Sequence, residues 1–238
     1  MEEQLDVRKW YNNYVPRQMK TGINVRHYHL MNELISSGLK SGKSAIEIGC
    51  GIGTLTGLIS KVIKNGKLVA TDISNESIDV AKKRIPNSGK IDFLVSDMKG
   101  FEYDHKFDFV VLADVIEHIP IEQHPDLFQA IAKIIHEDSI VFINIPHPTS
   151  LDYIRDFKPE LLQIIDQSIS SDLLMKNTYD NGLRLISYEA YQLFHDQTDY
   201  ALAQFKMDTP FKMNSLSKMK IIRKKYTAKL KFIFRFLR

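Results

Sequence analysis

Cysteine is almost absent from the sequence, which has Cys50 as its single thiol among 238 residues. One cysteine excludes an internal disulfide and a zinc site built from several thiolates, so nothing requires an oxidising compartment. Long apolar runs are also missing, although 44% of the residues are hydrophobic. The N-terminal segment MEEQLDVRKW is acidic and lacks the apolar centre of a signal peptide. We therefore expect a cytoplasmic globular protein with one main domain.

Acidic residues are missing from the last part of the chain. Residues 211–238 contain ten Lys and Arg and no Asp or Glu, whereas residues 1–210 contain 22 basic and 29 acidic residues and have a net charge of −7. In a helix, the tail would place Leu230, Ile233 and Phe234 on one face and basic residues on another. We predict that residues 212–238 contact the inner surface of an anionic membrane.

Two alternatives for the tail are RNA binding and a disordered, solubilising segment. No recognised RNA-binding module accompanies the basic residues, so we expect no specific nucleic-acid partner.

Short apolar runs alternate with helical patterns after residue 43, which is typical of βαβ units and a mostly parallel sheet. The predicted strands are Ser44–Gly49, Lys67–Asp72, Lys90–Asp97, Phe107–Asp114 and Ser139–Pro146, and the predicted helices are Thr54–Lys64, Asn75–Arg84 and His124–Asp138. Two later extended segments, Leu183–Phe194 and Asp199–Met207, predict an antiparallel hairpin at one sheet edge.

The remaining segments predict additions to this sheet. Residues 1–43 read as an N-terminal cap of one or two helices, and residues 44–210 as the main domain. Within that domain, residues 147–182 read as an insertion that contains one helix, Pro159–Ile169. Residues 211–238 form the basic amphipathic tail.

The motif AIEIGCGIG places Gly49 and Gly51 between the first strand and the first helix, where a parallel sheet presents its ligand crevice. The dinucleotide fingerprint G-x-G-x-x-G requires glycine at position 54, where this chain has Thr54. Glu47 suits an ammonium group or a bound water and does not suit a phosphate. Asp72, at the end of the second strand, can accept both hydroxyls of a ribose, and Asp97 can accept an adenine amino proton.

Four segments in this order, EIGCGIG, Asp72, SDM and LADVIEHIP, resemble the class I S-adenosylmethionine-dependent methyltransferases, nearest in motif to the ubiquinone-biosynthesis O-methyltransferases. The resemblance implies an α/β, Rossmann-like sheet of seven mostly parallel strands, in the order 3-2-1-4-5-7-6, flanked by helices. It also implies S-adenosyl-L-methionine as the cofactor. The implied cofactor residues are Glu47, Gly49 and Gly51 at the methionine moiety, Arg26 at its carboxylate, Asp72 at the ribose, Asp97 and Met98 at the adenine, and Ala113 beside the sulfonium.

The stretch ADVIEHIP leaves three interpretations open. His118 is a candidate catalytic base, because an unperturbed imidazole titrates at about pH 6.5. Asp114, Glu117 and His118 resemble a set that is associated with a divalent metal in the ubiquinone-type enzymes. The same residues can instead be polar loop residues that line the crevice. His147, after the fifth strand, is a second candidate base or substrate contact.

The acceptor is expected to bind parts added to the common fold. Trp10, Tyr11 and Tyr14 offer stacking faces for a sugar or a flat ring, and ordinary packing of an N-terminal helix is the alternative. We predict methylation, favouring oxygen, of a small-molecule, glycan or lipid-linked acceptor. The alternatives are an NAD(P)-dependent reductase and a cofactor-binding regulatory protein without turnover.

Overall fold

The structure is a computed structural model that describes residues 7–86, 90–211, 213 and 215–236. Residues 1–6 of the predicted cap and Lys212, Asn214, Leu237 and Arg238 of the predicted tail lie outside the described residues. The chain divides into two compact units between Asp208 and Thr209. The first unit contains the sheet, and the second contains one long helix.

Seven strands form a single sheet in the order β3-β2-β1-β4-β5-β7-β6, which confirms the expected fold. Strands β1 to β5 are parallel, and β7 runs antiparallel to both β5 and β6, as the predicted hairpin requires. The strands are β1 Ala45–Ile48, β2 Leu68–Asp72, β3 Ile91–Val95, β4 Phe107–Ala113, β5 Ile135–Pro146, β6 Leu183–Tyr191 and β7 Tyr200–Met207.

The helices lie before, between and after these strands. They are α1 Val7–Thr21, α2 Val25–Ser36, α3 Thr54–Val62, α4 Asn75–Arg84, α5 His124–Lys133, α6 Pro148–Phe157, α7 Ser171–Tyr179 and α8 Lys218–Phe236. Short 3₁₀ turns within the described residues include Ile116–His118, Ile121–Gln123 and Pro159–Leu161. The side chain of Ser74 accepts a hydrogen bond from the N–H of Ser77 and so begins α4, as its position in the sequence predicts.

The central strands are apolar because helices cover both faces of the sheet. β1 and β2 are buried along their whole length, and Ile46 pairs with Val69 on one side and Val110 on the other. The parallel strands all end at the same edge of the sheet. That edge is where the sequence predicts the ligand crevice.

The predicted helix His124–Asp138 is wrong in its last five residues. α5 ends at Lys133, and residues from Ile135 onward belong to β5. Ile135 pairs with Phe107, and the hydroxyl of Ser139 donates to the carbonyl of Phe107 at 2.6 Å. Pairing with β4 therefore overrides the helical pattern of the sequence.

The predicted helix Pro159–Ile169 is also wrong, because only Pro159–Leu161 is helical and only as a 3₁₀ turn. The rest is an irregular loop in which the Asp166 carboxylate accepts from the backbone N–H of Gln163 at 2.5 Å. This local hydrogen bond competes with helix formation. Instead, helices α6 and α7 flank the loop on either side.

Candidate active site

Three glycines after β1 turn the chain toward α3. Gly49, Gly51 and Gly53 have φ values of +73°, +53° and +75°, a conformation that residues with a Cβ rarely adopt. A Cβ on Gly49 would lie 2.5 Å from Cγ2 of Val115, and one on Gly51 would lie 2.8 Å from Nε2 of Gln18. The turn therefore requires glycine at both positions for backbone conformation, and at Gly49 also for space beside Val115.

The carboxylate of Asp72, at the end of β2, holds this turn in place. Its Oδ2 accepts from the N–H of Gly51 at 2.7 Å, and its Oδ1 accepts from the N–H of Ser74 at 2.9 Å. Burial raises the pKa of Asp72, although both backbone hydrogen bonds work in the opposite direction. Each carboxylate oxygen keeps a second lone pair, so Asp72 can still accept hydrogen bonds from hydroxyls of a ligand.

Glu47 is buried at the other side of the turn. The hydroxyl of Thr56 donates to its Oε2 at 2.5 Å. Burial raises the pKa of Glu47 to about 8, against the effect of the Thr56 hydrogen bond. A cationic group bound nearby would favour the ionised carboxylate. The geometry thus fits the ammonium contact expected of Glu47.

A cavity of about 680 Å³ lies along this edge of the sheet, within the usual range of about 300–1,000 Å³ for small-molecule sites. It is continuous from the glycine turn to the 3₁₀ turn that contains Glu117 and His118. All the residues predicted for the cofactor line it, namely Arg26, Glu47, Gly49, Gly51, Asp72, Asp97, Met98 and Ala113. The structure brings these residues together, and their individual roles stay predictions.

A buried network of polar side chains fixes the carboxyl ends of β4 and β5. The guanidinium of Arg26 forms an ion pair with Asp114 and donates to the hydroxyl of Tyr200 at 3.0 Å. Asn144 donates to Asp114 at 3.0 Å and accepts from the hydroxyl of Tyr191 at 2.7 Å. Burial works against the charge on Arg26, but Asp114 and Tyr200 raise the pKa above its usual value. Arg26 therefore stays charged at the cavity wall.

Glu117 and His118 form the second half of the site. Glu117 is only 1% exposed, and neither of its carboxylate oxygens has a hydrogen-bond partner among the described residues. Burial raises the pKa of Glu117 to about 8. Burial disfavours the charged form of His118, but the carboxylates of Glu117 and Asp166 outweigh it and raise the pKa of His118 to about 9. The His118 imidazole is therefore more basic than the ordinary imidazole assumed from the sequence.

Helix α1 contributes polar groups to the same cavity. Tyr11 and Tyr14 line it, and the ring of Tyr11 lies 6.2 Å from that of His118. The hydroxyl of Tyr11 and Oε1 of Gln18 are shielded from solvent without a hydrogen-bond partner in the described chain. Trp10 stacks on Tyr14 at 4.7 Å and is not part of the cavity wall. The structure thus gives Tyr11 and Tyr14 direct access to a ligand and gives Trp10 a supporting position.

His147 lies apart from this cluster. It is the N-cap residue of α6, and its Nδ1 lies 2.8 Å from the hydroxyl of Thr149. Its side chain does not line the cavity, whereas the preceding Pro146 does. The catalytic role of His147 stays a prediction without a supporting contact.

Several residues of the site are absent from the sequence-based prediction. Asp166 and Gln163 come from the loop that was predicted as a helix, and Asn144, Tyr191 and Tyr200 come from β5, β6 and β7. Their types carry no local signal, because a single polar residue in a strand or loop is common. Only the pairing of β7 with β5 brings Tyr200 to Arg26.

The metal interpretation of Asp114, Glu117 and His118 finds no support in the geometry. Asp114 faces Arg26 and Asn144, and Nδ1 of His118 faces Asp166. Across the described ranges, no group of three or more His, Cys, Asp or Glu side chains is arranged to hold a metal ion.

Comparisons with known proteins agree with this geometry. The family model described as "Methyltransferase domain" matches residues 45–138. A ubiquinone biosynthesis O-methyltransferase of Actinobacillus pleuropneumoniae is 25% identical over 165 residues, which cover 64% of this chain and 66% of that protein. The chain spans only 26% to 52% of the length of four other curated methyltransferases that it matches.

Two solved structures share the fold. An S-adenosylmethionine-dependent methyltransferase from Clostridium acetobutylicum has a TM-score of 0.65 and 13% identity, over 84% of this chain and 98% of that one. The N-methyltransferase NodS from Bradyrhizobium japonicum, in complex with S-adenosyl-L-homocysteine, has a TM-score of 0.62 and 19% identity, over 76% of this chain and 85% of that one.

A seven-stranded sheet in this order, with a glycine turn after β1 and an acidic residue at the end of β2, defines the class I methyltransferase fold. The family match over residues 45–138 and the shared fold make this chain similar to the class I S-adenosylmethionine-dependent methyltransferases.

Proposed function

We propose that this protein transfers a methyl group from S-adenosyl-L-methionine to a hydroxyl oxygen of a small-molecule, glycan or lipid-linked acceptor. The observation that carries this proposal is the continuity of the cavity, which joins the glycine turn and Asp72 to Glu117 and His118. A donor and an acceptor can bind there side by side, so that proximity and orientation lower the barrier.

The residues at the cofactor end fit this donor. Glycines at positions 49 and 51 leave the cradle open, Glu47 would receive the ammonium group, and Asp72 would accept the ribose hydroxyls. Arg26 lines the same end and would face the carboxylate of the methionine moiety. The bound cofactor supplies an activated methyl group on a sulfonium, and the chain supplies position and a proton acceptor.

The acceptor end favours oxygen as the methylated atom. A hydroxyl must lose its proton as it is methylated, so a nearby base assists the reaction. His118 lines the cavity there, beside the buried Glu117. The aromatic rings of Tyr11 and Tyr14 would pack against a sugar or a flat ring.

Ligand binding tests this proposal. Isothermal titration should show that S-adenosyl-L-homocysteine binds and that NAD does not. Asp72→Asn should weaken binding about 10- to 100-fold, because it removes a charged acceptor of hydrogen bonds. Asp104→Asn, at an exposed position away from the cavity, serves as the matched control.

The alternatives predict other outcomes. Binding of NAD in preference to S-adenosyl-L-homocysteine would contradict the proposal and favour a reductase. Binding of S-adenosyl-L-homocysteine, without a methylated product from any member of a broad hydroxyl panel, would favour a regulatory protein. Mass spectrometry of the panel after incubation with S-adenosyl-L-methionine makes that distinction.

We also propose that α8 attaches the protein to an anionic membrane surface. Met219, Ile222, Tyr226, Leu230 and Ile233 recur at helical spacing along one side of the helix and are 41% to 81% exposed. The helix contains eight Lys and Arg and no acidic residue, which complements anionic lipid headgroups. No described helix is long and apolar enough to cross a membrane. Attachment would bring the enzyme to lipid-linked acceptors.

A further inference from the structure

The loop of residues 163–167 is bound to the 3₁₀ turn that contains Glu117 and His118. The backbone N–H of Gln167 donates to the carbonyl of Glu117 at 2.9 Å, and its side-chain amide donates to the carbonyl of Ile119 at 2.7 Å. On the other side, Arg155 of α6 donates to the carbonyl of Asp166 at 3.0 Å. The loop therefore has a fixed position relative to His118.

Asp166 uses this position to contact the imidazole. Its Oδ1 lies 2.9 Å from Nδ1 of His118, and the carbonyl of Ile165 lies 2.7 Å from the same nitrogen. Both partners are acceptors, so Nδ1 carries a hydrogen. The other oxygen of Asp166 accepts from the N–H of Gln163, which fixes the carboxylate in turn. When the imidazole is neutral, the lone pair is therefore on Nε2.

Nε2 of His118 faces the cavity. The side-chain amide nitrogen of Gln163 lies 3.1 Å from Nε2, and both residues line the cavity wall. When the imidazole is neutral, the amide N–H can donate to the Nε2 lone pair. A hydroxyl that replaces this amide would meet the same lone pair, in the orientation needed to give up its proton.

We propose that Asp166 is a positioning residue, which keeps Nδ1 of His118 protonated and directs Nε2 to receive the proton of the acceptor hydroxyl. This inference rests on the methyl transfer proposed above. In that step the acceptor oxygen forms a bond to the methyl carbon, and the S–CH₃ bond breaks with its electron pair on sulfur. The hydroxyl proton passes to Nε2 of His118, so no further reactant is needed.

Titratable groups from three parts of the chain surround the imidazole. Glu117 lies on the same 3₁₀ turn, Asp166 on the loop, and the ring of the neutral Tyr11 on α1. Glu117 and Asp166 raise the pKa of His118 to about 9 against the effect of burial. We therefore expect transfer to a hydroxyl to accelerate as the pH rises toward about 9, where the imidazole becomes neutral.

The first test uses the protein without added ligand. Asp166→Asn keeps the size of the side chain and an oxygen for Gln163, but it removes the charge. In ¹⁵N NMR spectra of the imidazole, assigned with His118→Gln, the wild type should show the Nδ1–H tautomer above its pKa. Asp166→Asn should lower the pKa and populate the Nε2–H tautomer. Asp156→Asn, an exposed position on α6, is the control and should match the wild type.

The second test measures turnover with a hydroxyl acceptor from the panel. We expect Asp166→Asn to lower kcat about 10- to 100-fold, with little change in KM. The rise of kcat with pH should occur at lower pH in the variant than in the wild type. An unchanged tautomer together with unchanged kcat would overturn the inference. Equal losses of kcat and of affinity for S-adenosyl-L-homocysteine would also overturn it, because they indicate a purely structural role. A wild type that binds S-adenosyl-L-homocysteine but methylates nothing would contradict the proposed function, whereas the tautomer measurement would still decide the role of Asp166.

Discussion

The side chain of Glu117 shows how one buried carboxyl can make the whole fold sensitive to pH. Its pKa is raised to about 8 by burial, compared with about 4.3 in an unfolded chain. The folded state therefore binds this proton more tightly than the unfolded chain does. The stability that this binding contributes is lost as the pH rises from about 4.3 toward about 8. His118 acts in the same direction, because its pKa is raised to about 9.

We predict that Glu117→Gln reduces this alkaline loss of stability. The variant lacks the buried acid and also removes a charge that raises the pKa of His118. The free energy of unfolding should decrease between about pH 5 and about pH 9 in both proteins. The decrease should be smaller in the variant than in the wild type, by at least about 1 kcal/mol. Urea unfolding at several pH values measures this difference.

Glu122→Gln is the control for this experiment, because Glu122 is exposed on the next 3₁₀ turn. Its pH dependence should match that of the wild type. Parallel curves for the wild type and Glu117→Gln would show that Glu117 is not the group responsible.

At the scale of one element, α2 begins with a capping box that also fixes Arg26. The side chain of Asn24 accepts from the N–H of Arg26 at 3.1 Å, and the N–H of Asn24 donates to Nδ1 of His27 at 3.1 Å. Only a neutral imidazole can accept that bond. Burial lowers the pKa of His27 to about 4, so its contribution to stability is present above about pH 6.5 and is lost as the pH falls toward 4.

Removing the cap should therefore destabilise the protein. We expect Asn24→Ala to lower the free energy of unfolding by about 1 kcal/mol at neutral pH, and Asn24→Ser to lose less because serine can also cap. Asn32→Ala, at an exposed position within α2, is the control. Equal effects of Asn24→Ala and Asn32→Ala in urea unfolding would contradict the role of the cap.

The strands of the sheet could be predicted from the sequence because their signals are local. A buried parallel strand is a short apolar run, and the glycines at 49 and 51 mark the turn that follows β1. The end of α5 could not be predicted in this way. The sequence of residues 135–138 continues the helical pattern, and only the pairing of Ile135 with Phe107 shows that it belongs to a strand.

The part of the cavity around Glu117 and His118 was harder to predict for the same reason. His118 could be identified from its motif, but Asp166 lies in a distant loop with an apolar, apparently helical neighbourhood. No spacing rule links the two residues. Their contact depends on the hydrogen bonds by which the loop binds Glu117 and Ile119.

At the scale of the whole molecule, the distribution of charge predicts how the protein meets a membrane. We expect the full chain to co-sediment with vesicles of phosphatidylcholine and phosphatidylglycerol, and much less with phosphatidylcholine alone. Each basic side chain near an anionic surface contributes about 1 kcal/mol, so binding should weaken as salt is added. Deletion of residues 209–238 should abolish it.

A pair of variants separates the apolar stripe of α8 from its charge. Ile222→Ser with Leu230→Ser removes two residues of the stripe, whereas Ile221→Ser with Ala228→Ser places the same number of serines elsewhere on the helix. The first pair should reduce sedimentation more than the second. Equal sedimentation of the full chain and the deletion variant would contradict membrane attachment through α8.

The order of the strands has a consequence for protein synthesis. β7 lies between β5 and β6, although it is the last strand of the chain. Tyr191 is the partner of Asn144, and Tyr200 is the partner of Arg26. Both tyrosines therefore leave the ribosome after every residue of the matched segment 45–138. A nascent chain that stops at residue 138 contains the glycine turn and Asp72, but it cannot complete the polar network around Asp114. The glycine turn and Asp72 are thus synthesised before β7, and the polar network around Asp114 can close only after β7 has left the ribosome.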